Sequence, residues 1–248
     1  LMRCVIQTGM HMRIIQKNEH RTLEHDWLKT THHFSFGEYY NPQRMNFGPL
    51  RVFNDDTIKP GNGFDFHQHR DMEIITYVID GTLEHKDNFG NHGIIEPGEI
   101  QTMSAGTGVF HSEYNHSTKE SLRLLQMWIF SDHKDLSPSW KQQKFSKQES
   151  QNKFLSVISP DNSNNSLSIH QDVSFYISNL TTNSTVKHNN QENRQSYLYT
   201  IKGTIKVNNQ QLDEGDSAEI TESDISITAL EDSEIILIDL PIQYAKNI

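Results

Sequence analysis

Short apolar runs recur along the chain with turn residues between them: LRVFNDD, EIITYVIDG, GIIEPGE and LRLLQMWIF, and later FLSVISP, SLSIHQD, SFYISNL, QSYLYTIKG, TIKVNN and SEIILIDL. β-Branched and aromatic residues fill these runs and Gly, Pro, Asn and Asp bound them, a pattern that predicts many short strands in a sandwich or barrel. No helical period is sustained between residues 45 and 131. After Phe130 the composition turns polar and rich in Gln and Lys (SDHKDLSPSWKQQKFSKQESQNK), which reads as a surface connection with a short helical turn.

The second half repeats the first. Tyr77-Val78-Ile79-Asp80-Gly81-Thr82-Leu83 and Tyr199-Thr200-Ile201-Lys202-Gly203-Thr204-Ile205 match at Tyr, Ile, Gly and Thr, and each precedes a similar turn, Glu96-Pro97-Gly98-Glu99 and Asp213-Glu214-Gly215-Asp216. A strand-turn-strand unit used twice implies two β-barrels from a duplication.

Two motifs on predicted strands carry the chemistry. His67-Gln68-His69 and His111-Ser112-Glu113 each place two ligating side chains at i, i+2, and side chains two apart on a strand share a face. On neighbouring strands, the pairs would offer three imidazoles and one carboxylate to a divalent transition metal and leave positions open for substrate and oxygen. The repeat tests this idea. Counted back from the shared glycine, His67, His69 and Glu73 fall opposite Asn189, Gln191 and Gln195; counted on from Gly98 and Gly215, His111 falls near Thr228. Asn, Gln and Thr are poor ligands for a transition ion, so metal is expected in the first barrel alone.

Bulk composition narrows the classes. A formal charge of -10, from 22 basic and 32 acidic residues, with no basic run, argues against direct nucleic-acid binding. The single cysteine, Cys4, excludes an intrachain disulfide framework and a thiolate cluster. No apolar stretch approaches the roughly 18 to 20 residues of a membrane helix. A cytoplasmic protein is expected. His11-Met12 resembles a cloning junction, so residues 1–11 are set aside as a leader, Cys4 with them.

At these residues the chain resembles a known family. GFDFHQHRDMEIITYVIDG is similar to the first cupin motif and IIEPGEIQTMSAGTGVFHSEYN to the second, while the run Met103-Ser104-Ala105-Gly106-Thr107-Gly108 before His111-Ser112-Glu113, and HHFSFGEYYNPQRMNFGPLRVFNDD upstream, resemble pirins. The likeness runs from about Met12 to the C-terminus and is nearest to bacterial pirin-like quercetin 2,3-dioxygenases. It implies an all-β bicupin: a metal-binding cupin over 12–132, then a connection and a second cupin without ligands over 133–248. It implies one divalent ion, iron as Fe(II) by family habit, held by His67, His69, His111 and Glu113, although three nitrogens and one oxygen would also accept Mn, Co, Ni, Cu or Zn. Glu73 takes the place of the usual cupin glutamate and is assigned to orient an imidazole from behind. Glu113 is expected to serve as both ligand and catalytic base.

The activity implied is oxygenolytic cleavage of a flavonol-like enediol or related small aromatic molecule by O2. Phe53 and Phe64 are expected at the metal mouth as substrate contacts. Phe34, Phe36, Tyr39, Tyr40 and Phe47 are read as packing. His32 and His33 are read as turn or rim residues, and His85, His92, His116, His133, His170 and His188 as solvated. The alternative, from another class, is a non-catalytic iron-holding redox sensor or transcriptional co-regulator acting through a protein partner, as pirins of animals are described. An isomerase on the same scaffold is a third, because fold does not fix chemistry.

Overall fold

A computed structural model describes residues 12–221 and 224–245; the leader expected over 1–11, with Cys4, lies outside the described residues. In chain order the strands are β1 (Met12–Ile15), β2 (Arg21–Glu24), β3 (Leu28–His32), β4 (Leu50–Ile58), β5 (Gly63–His69), β6 (Met72–Asp80), β7 (Leu83–Asp87), β8 (His92–Ile95), β9 (Glu99–Ser104), β10 (Val109–Asn115), β11 (Leu122–Phe130), β12 (Ser139–Lys144), β13 (Leu155–Ile158), β14 (Ser174–Leu180), β15 (Thr185–Asn189), β16 (Arg194–Lys202), β17 (Ile205–Val207), β18 (Gln210–Leu212), β19 (Ser217–Ile220), β20 (Asp224–Ala229) and β21 (Ser233–Pro241). Two short 3-10 turns are the helical elements among the described residues, and no helix is long and apolar enough to cross a membrane.

The duplication is visible strand for strand. In the first lobe a seven-stranded sheet, β12-β9-β6-β11-β4-β3-β2, faces a four-stranded sheet, β5-β10-β7-β8; in the second, β1-β19-β16-β21-β14-β13 faces β15-β20-β17-β18. Adding ten to each label from β4 to β11 converts the first order into the second. Gly81 and Gly203 occupy matching turns at φ +82° and +86°, a region closed to most L side chains.

Two strands cross the boundary expected at 132/133. β1 pairs with β19 and completes the second lobe, while β12, in the stretch read as a surface connection with a helical turn, pairs with β9 and completes the first.

Alternation along each strand sorts the side chains. On β6, Ile75 and Tyr77 point between the lobes, and Ile74, Thr76 and Val78 point into the barrel. A shared core between the large sheets takes Phe34, Phe53, Ile75, Tyr77, Tyr197, Tyr199 and Ile238 among others, whereas the second barrel is filled by aliphatics such as Leu198, Ile205, Ile227 and Leu237. Arg123 braces the junction, its Nη2 donating to Asp55 Oδ2 at 2.8 Å and to Ile201 O at 3.2 Å, while Tyr199 donates to the same Asp55 oxygen at 2.6 Å.

Asp56, inside the first lobe, is fully buried and its Oδ1 has no partner. Burial raises its pKa to about 7 against the opposing hydrogen bond from Thr30, with the charges of Asp55 and Glu113 adding to the rise. Between its ordinary value and about 7 the folded chain therefore holds a proton that the unfolded chain releases, so stability falls as pH rises through that window. Asp56→Asn is expected to raise the Tm by several degrees at pH 8 and to leave it unchanged near pH 4, in thermal melts followed at both values.

Candidate metal centre

β5 and β10 are antiparallel, with His67 opposite His111 and His69 opposite Val109. Between His111 and Glu113 the register shifts, so that Phe64 stands opposite Glu113. The bulge inserts one residue on β5 and turns both Phe64 and His67 to the barrel interior. The three imidazoles converge as their spacing predicts: their ligand atoms lie within 4.8 Å of one another, and the Nε2 atoms of His67 and His111 are 3.0 Å apart. His67 and His69 are half-buried and His111 is 1 % exposed, so the cluster opens to solvent on its β5 side.

One ring is oriented by a hydrogen bond from outside the cluster. His67 Nδ1 lies 2.8 Å from the carbonyl of Asp65, which only accepts, so that nitrogen carries hydrogen and Nε2 is the one left to ligate. Burial, then the neighbouring His111 and His67, lowers the pKa of His69 to about 3; burial, then His67 and His85, does the same for His111. Ring nitrogens 3.0 Å apart either share one proton or turn both lone pairs to a common cation. The donor set therefore fits a divalent transition metal.

Glu113 sits beside this group rather than within it, since it clusters with His111 and His85. Its carboxylate accepts from Gln101 Nε2 at 2.5 Å and from Gln126 Nε2 at 2.6 Å. Both amides are oriented by third parties: Trp140 Nε1 donates to Gln101 Oε1 at 2.9 Å, and the Thr76 hydroxyl donates to Gln126 Oε1 at 2.9 Å. Cross-strand pairing aligns His32, Asn54, Gln126, Thr76, Gln101 and Gln142 in one row across the large sheet, a polar floor under Glu113.

His85 was expected to be solvated, yet it is 0 % exposed. Leu83, His85 and Asp87 alternate inward on β7, so His-x-Asp was the same i, i+2 signal that marked His67 and His69. The ring stacks on Trp140 at 5.2 Å and 12°, with Nε2 3.2 Å from Asp87 Oδ2 and Nδ1 3.5 Å from His111 Nδ1. Trp140 thus touches both supports of the site. Gly93 leaves room for it: a Cβ there would come within 2.5 Å of the indole. Gly93→Ala is expected to cost about 1–3 kcal/mol by overpacking and to change the tryptophan emission, measured by denaturation and fluorescence.

Other expectations need correction. Glu73 shares the interlobe face of β6 with Ile75 and Tyr77, and its carboxylate accepts from Ser104 Oγ at 2.6 Å and Ser131 Oγ at 2.9 Å, not from a clustered imidazole. Phe53 is 0 % exposed and packs on His33, Tyr197 and Tyr199 in the interlobe core, away from the metal mouth. Phe64 does stand beside His67, edge-on at 6.4 Å. His32 and His33 are buried, His33 with Nδ1 2.6 Å from Tyr197 OH. His188 is partly buried on Asp239 at 3.0 Å, whereas His92, His116, His133 and His170 are exposed as expected.

The positions of the second lobe that match the cluster are other ones than residue counting gave. Asn189 and Thr228 face outward, bonded to Asp224 and Thr185. Strand pairing matches His67, His69, His111 and Glu113 with Val186, His188, Ile227 and Ala229. Thr76, Gln101 and Gln126 likewise match Leu198, Ala218 and Leu237. The count slipped because the run from His188 to Arg194 is longer than its counterpart from His69 to Met72.

Comparison with known proteins agrees with this architecture. The family models for pirin and for the quercetinase C-terminal cupin domain match residues 14–129 and 156–240. The chain is 43 % identical over 225 residues to a quercetin 2,3-dioxygenase of Escherichia coli (strain K12), covering 90 % of this chain and 96 % of that protein. It is 43 % identical over 218 residues to a pirin-like protein of Caulobacter vibrioides, covering 87 % and 94 %. Crystal structures of YhhW from Escherichia coli superpose with a TM-score of 0.90 (40 % identity, 94 % and 99 % covered) and, for the bacterial pirin in complex with nickel(II), 0.89 (40 %, 93 % and 99 %). With two cupin lobes in series, three imidazoles converging in the first and aliphatics filling the second, the chain belongs to the pirin family.

Proposed function

We propose that the protein is a metal-dependent dioxygenase acting on a flavonol-like enediol or related small aromatic, with His67, His69, His111 and Glu113 as the ligand set. The observation that carries this reading is the convergence of three inward-turned imidazoles, two of them held neutral, beside a buried carboxylate. The named activity of relatives at 43 % identity supports the substrate class. A nickel(II) complex of a relative supports a divalent ion, with Fe(II), Mn, Co, Cu and Zn as further candidates.

When bound, such an ion would supply Lewis acidity toward adjacent hydroxyl and carbonyl oxygens and a partner for dioxygen chemistry. The chain does the rest. His67 and His69, half-buried on the edge strand β5, leave one side of the cluster accessible to a flat substrate, and Phe64 offers an aromatic edge there. Glu113 is the base for the substrate hydroxyl; Gln101 and Gln126 fix its position, and the barrel walls exclude bulk water from it.

The test is oxygen uptake with quercetin by protein of known metal content. Chelation is expected to remove uptake and readdition of Fe(II) or Ni(II) to restore it; uptake unaffected by complete chelation, or none with any of these metals, would overturn the reading.

A further inference from the structure

We propose that His85 is a positioning residue: held by Asp87 and Trp140, it accepts the Nδ1 proton of His111 and so keeps the Nε2 lone pair of His111 aimed at the cluster with His67 and His69. This rests on the metal-holding reading of His111. The direction of the bonds follows from what each atom can do. A carboxylate oxygen only accepts, so His85 Nε2, 3.2 Å from Asp87 Oδ2, carries hydrogen. Its other nitrogen, Nδ1, lies 3.5 Å from His111 Nδ1, a long contact with room for one proton. With that proton on Nδ1, His111 Nε2 is free to ligate.

The far end of the relay is anchored. Asp87 Oδ1 accepts the backbone N–H groups of Phe89 at 2.9 Å and Asn91 at 3.0 Å, and Oδ2 accepts Asn91 Nδ2 at 2.8 Å. Burial would raise this carboxyl, but the bonds from Asn91, His85 and Phe89 outweigh it and hold the group below its ordinary value, ionised and fixed. Trp140, stacked on the ring, sets the imidazole plane.

The second lobe gives independent support. Pairing with β10 and β20 matches His85 and Asp87 to Ile205 and Val207, just where His111 is matched by Ile227. The relay and the imidazole it serves are absent together, as expected if His85 exists for His111 and not for the barrel.

The test uses the full chain, with Co(II) as probe. His85→Phe keeps a ring against Trp140 but has no nitrogen, whereas His85→Asn restores an acceptor near the Nδ1 position. His85→Phe is expected to bind Co(II) about 10–100-fold more weakly with altered ligand-field bands, and His85→Asn to recover most of the affinity. In the wild type loaded with diamagnetic Zn(II), imidazole nitrogen-15 shifts are expected to show His111 ligating through Nε2 with its proton on Nδ1. Equal affinity and identical bands in His85→Phe would overturn the inference, as would a His111 proton on Nε2 in the Zn(II)-loaded wild type, which needs no variant to fold. A wild type that takes up neither Co(II) nor Zn(II) refutes the metal reading and, with it, the role given to His85.

Discussion

Replacing His111 with alanine is expected to lower the affinity for a divalent metal by more than about 100-fold, beyond the usual effect of losing a supporting residue, and to bring quercetin-dependent oxygen uptake to the metal-free background. The effect should exceed that of His67→Ala, because His111 belongs both to the group with His67 and His69 and to the group with His85 and Glu113. Its loss removes one of the three converging imidazoles and leaves His85 Nδ1 without the neighbour it has at 3.5 Å. Metal analysis after dialysis, with uptake measured on the same samples, checks this. Equal metal content in the wild type and His111→Ala would show that the ion, if any, lies elsewhere.

The largest effect on stability is expected from Phe53→Ala. Its ring contacts His33, Tyr197 and Tyr199 across the lobe junction at centroid distances of 4.6, 5.4 and 5.1 Å, so truncation opens a cavity in the core that both lobes share. Such losses cost about 3–5 kcal/mol, which for a chain of this size lowers the Tm by roughly 6–20 °C. The KM for quercetin should remain near wild type below the transition. A changed KM with an unchanged melting temperature would return Phe53 to the metal mouth.

The contrast between these residues shows where the sequence was informative. His67, His69 and His111 were legible because strand geometry is periodic: residues two apart share a face wherever the strand runs, and the bulge in β5 falls before His67 rather than between the two histidines. Phe53 was not legible, because an aromatic on a strand reads alike toward a substrate or toward a neighbouring lobe. Glu73 was misplaced by motif position, although its spacing from Thr76 put the two on opposite faces. The residues of the second lobe that match the cluster were misassigned, since counting from a shared glycine carries the register only as far as the first loop of different length. Trp140 was hidden because β12, SWKQQK, has no apolar alternation beyond that one side chain, and its strand character comes from pairing with β9.

The exchange of edge strands bears on any dissection of the protein. Since β1 completes the second lobe and β12 follows the first, neither half is a contiguous segment ending at the apparent midpoint. A cut after residue 132 would carry β1 away from β19 and strip β12, with Trp140, from the first barrel, exposing an unpaired edge on each fragment. Autonomous halves would have to be built by moving β1 to the head of the second fragment and extending the first through Lys144.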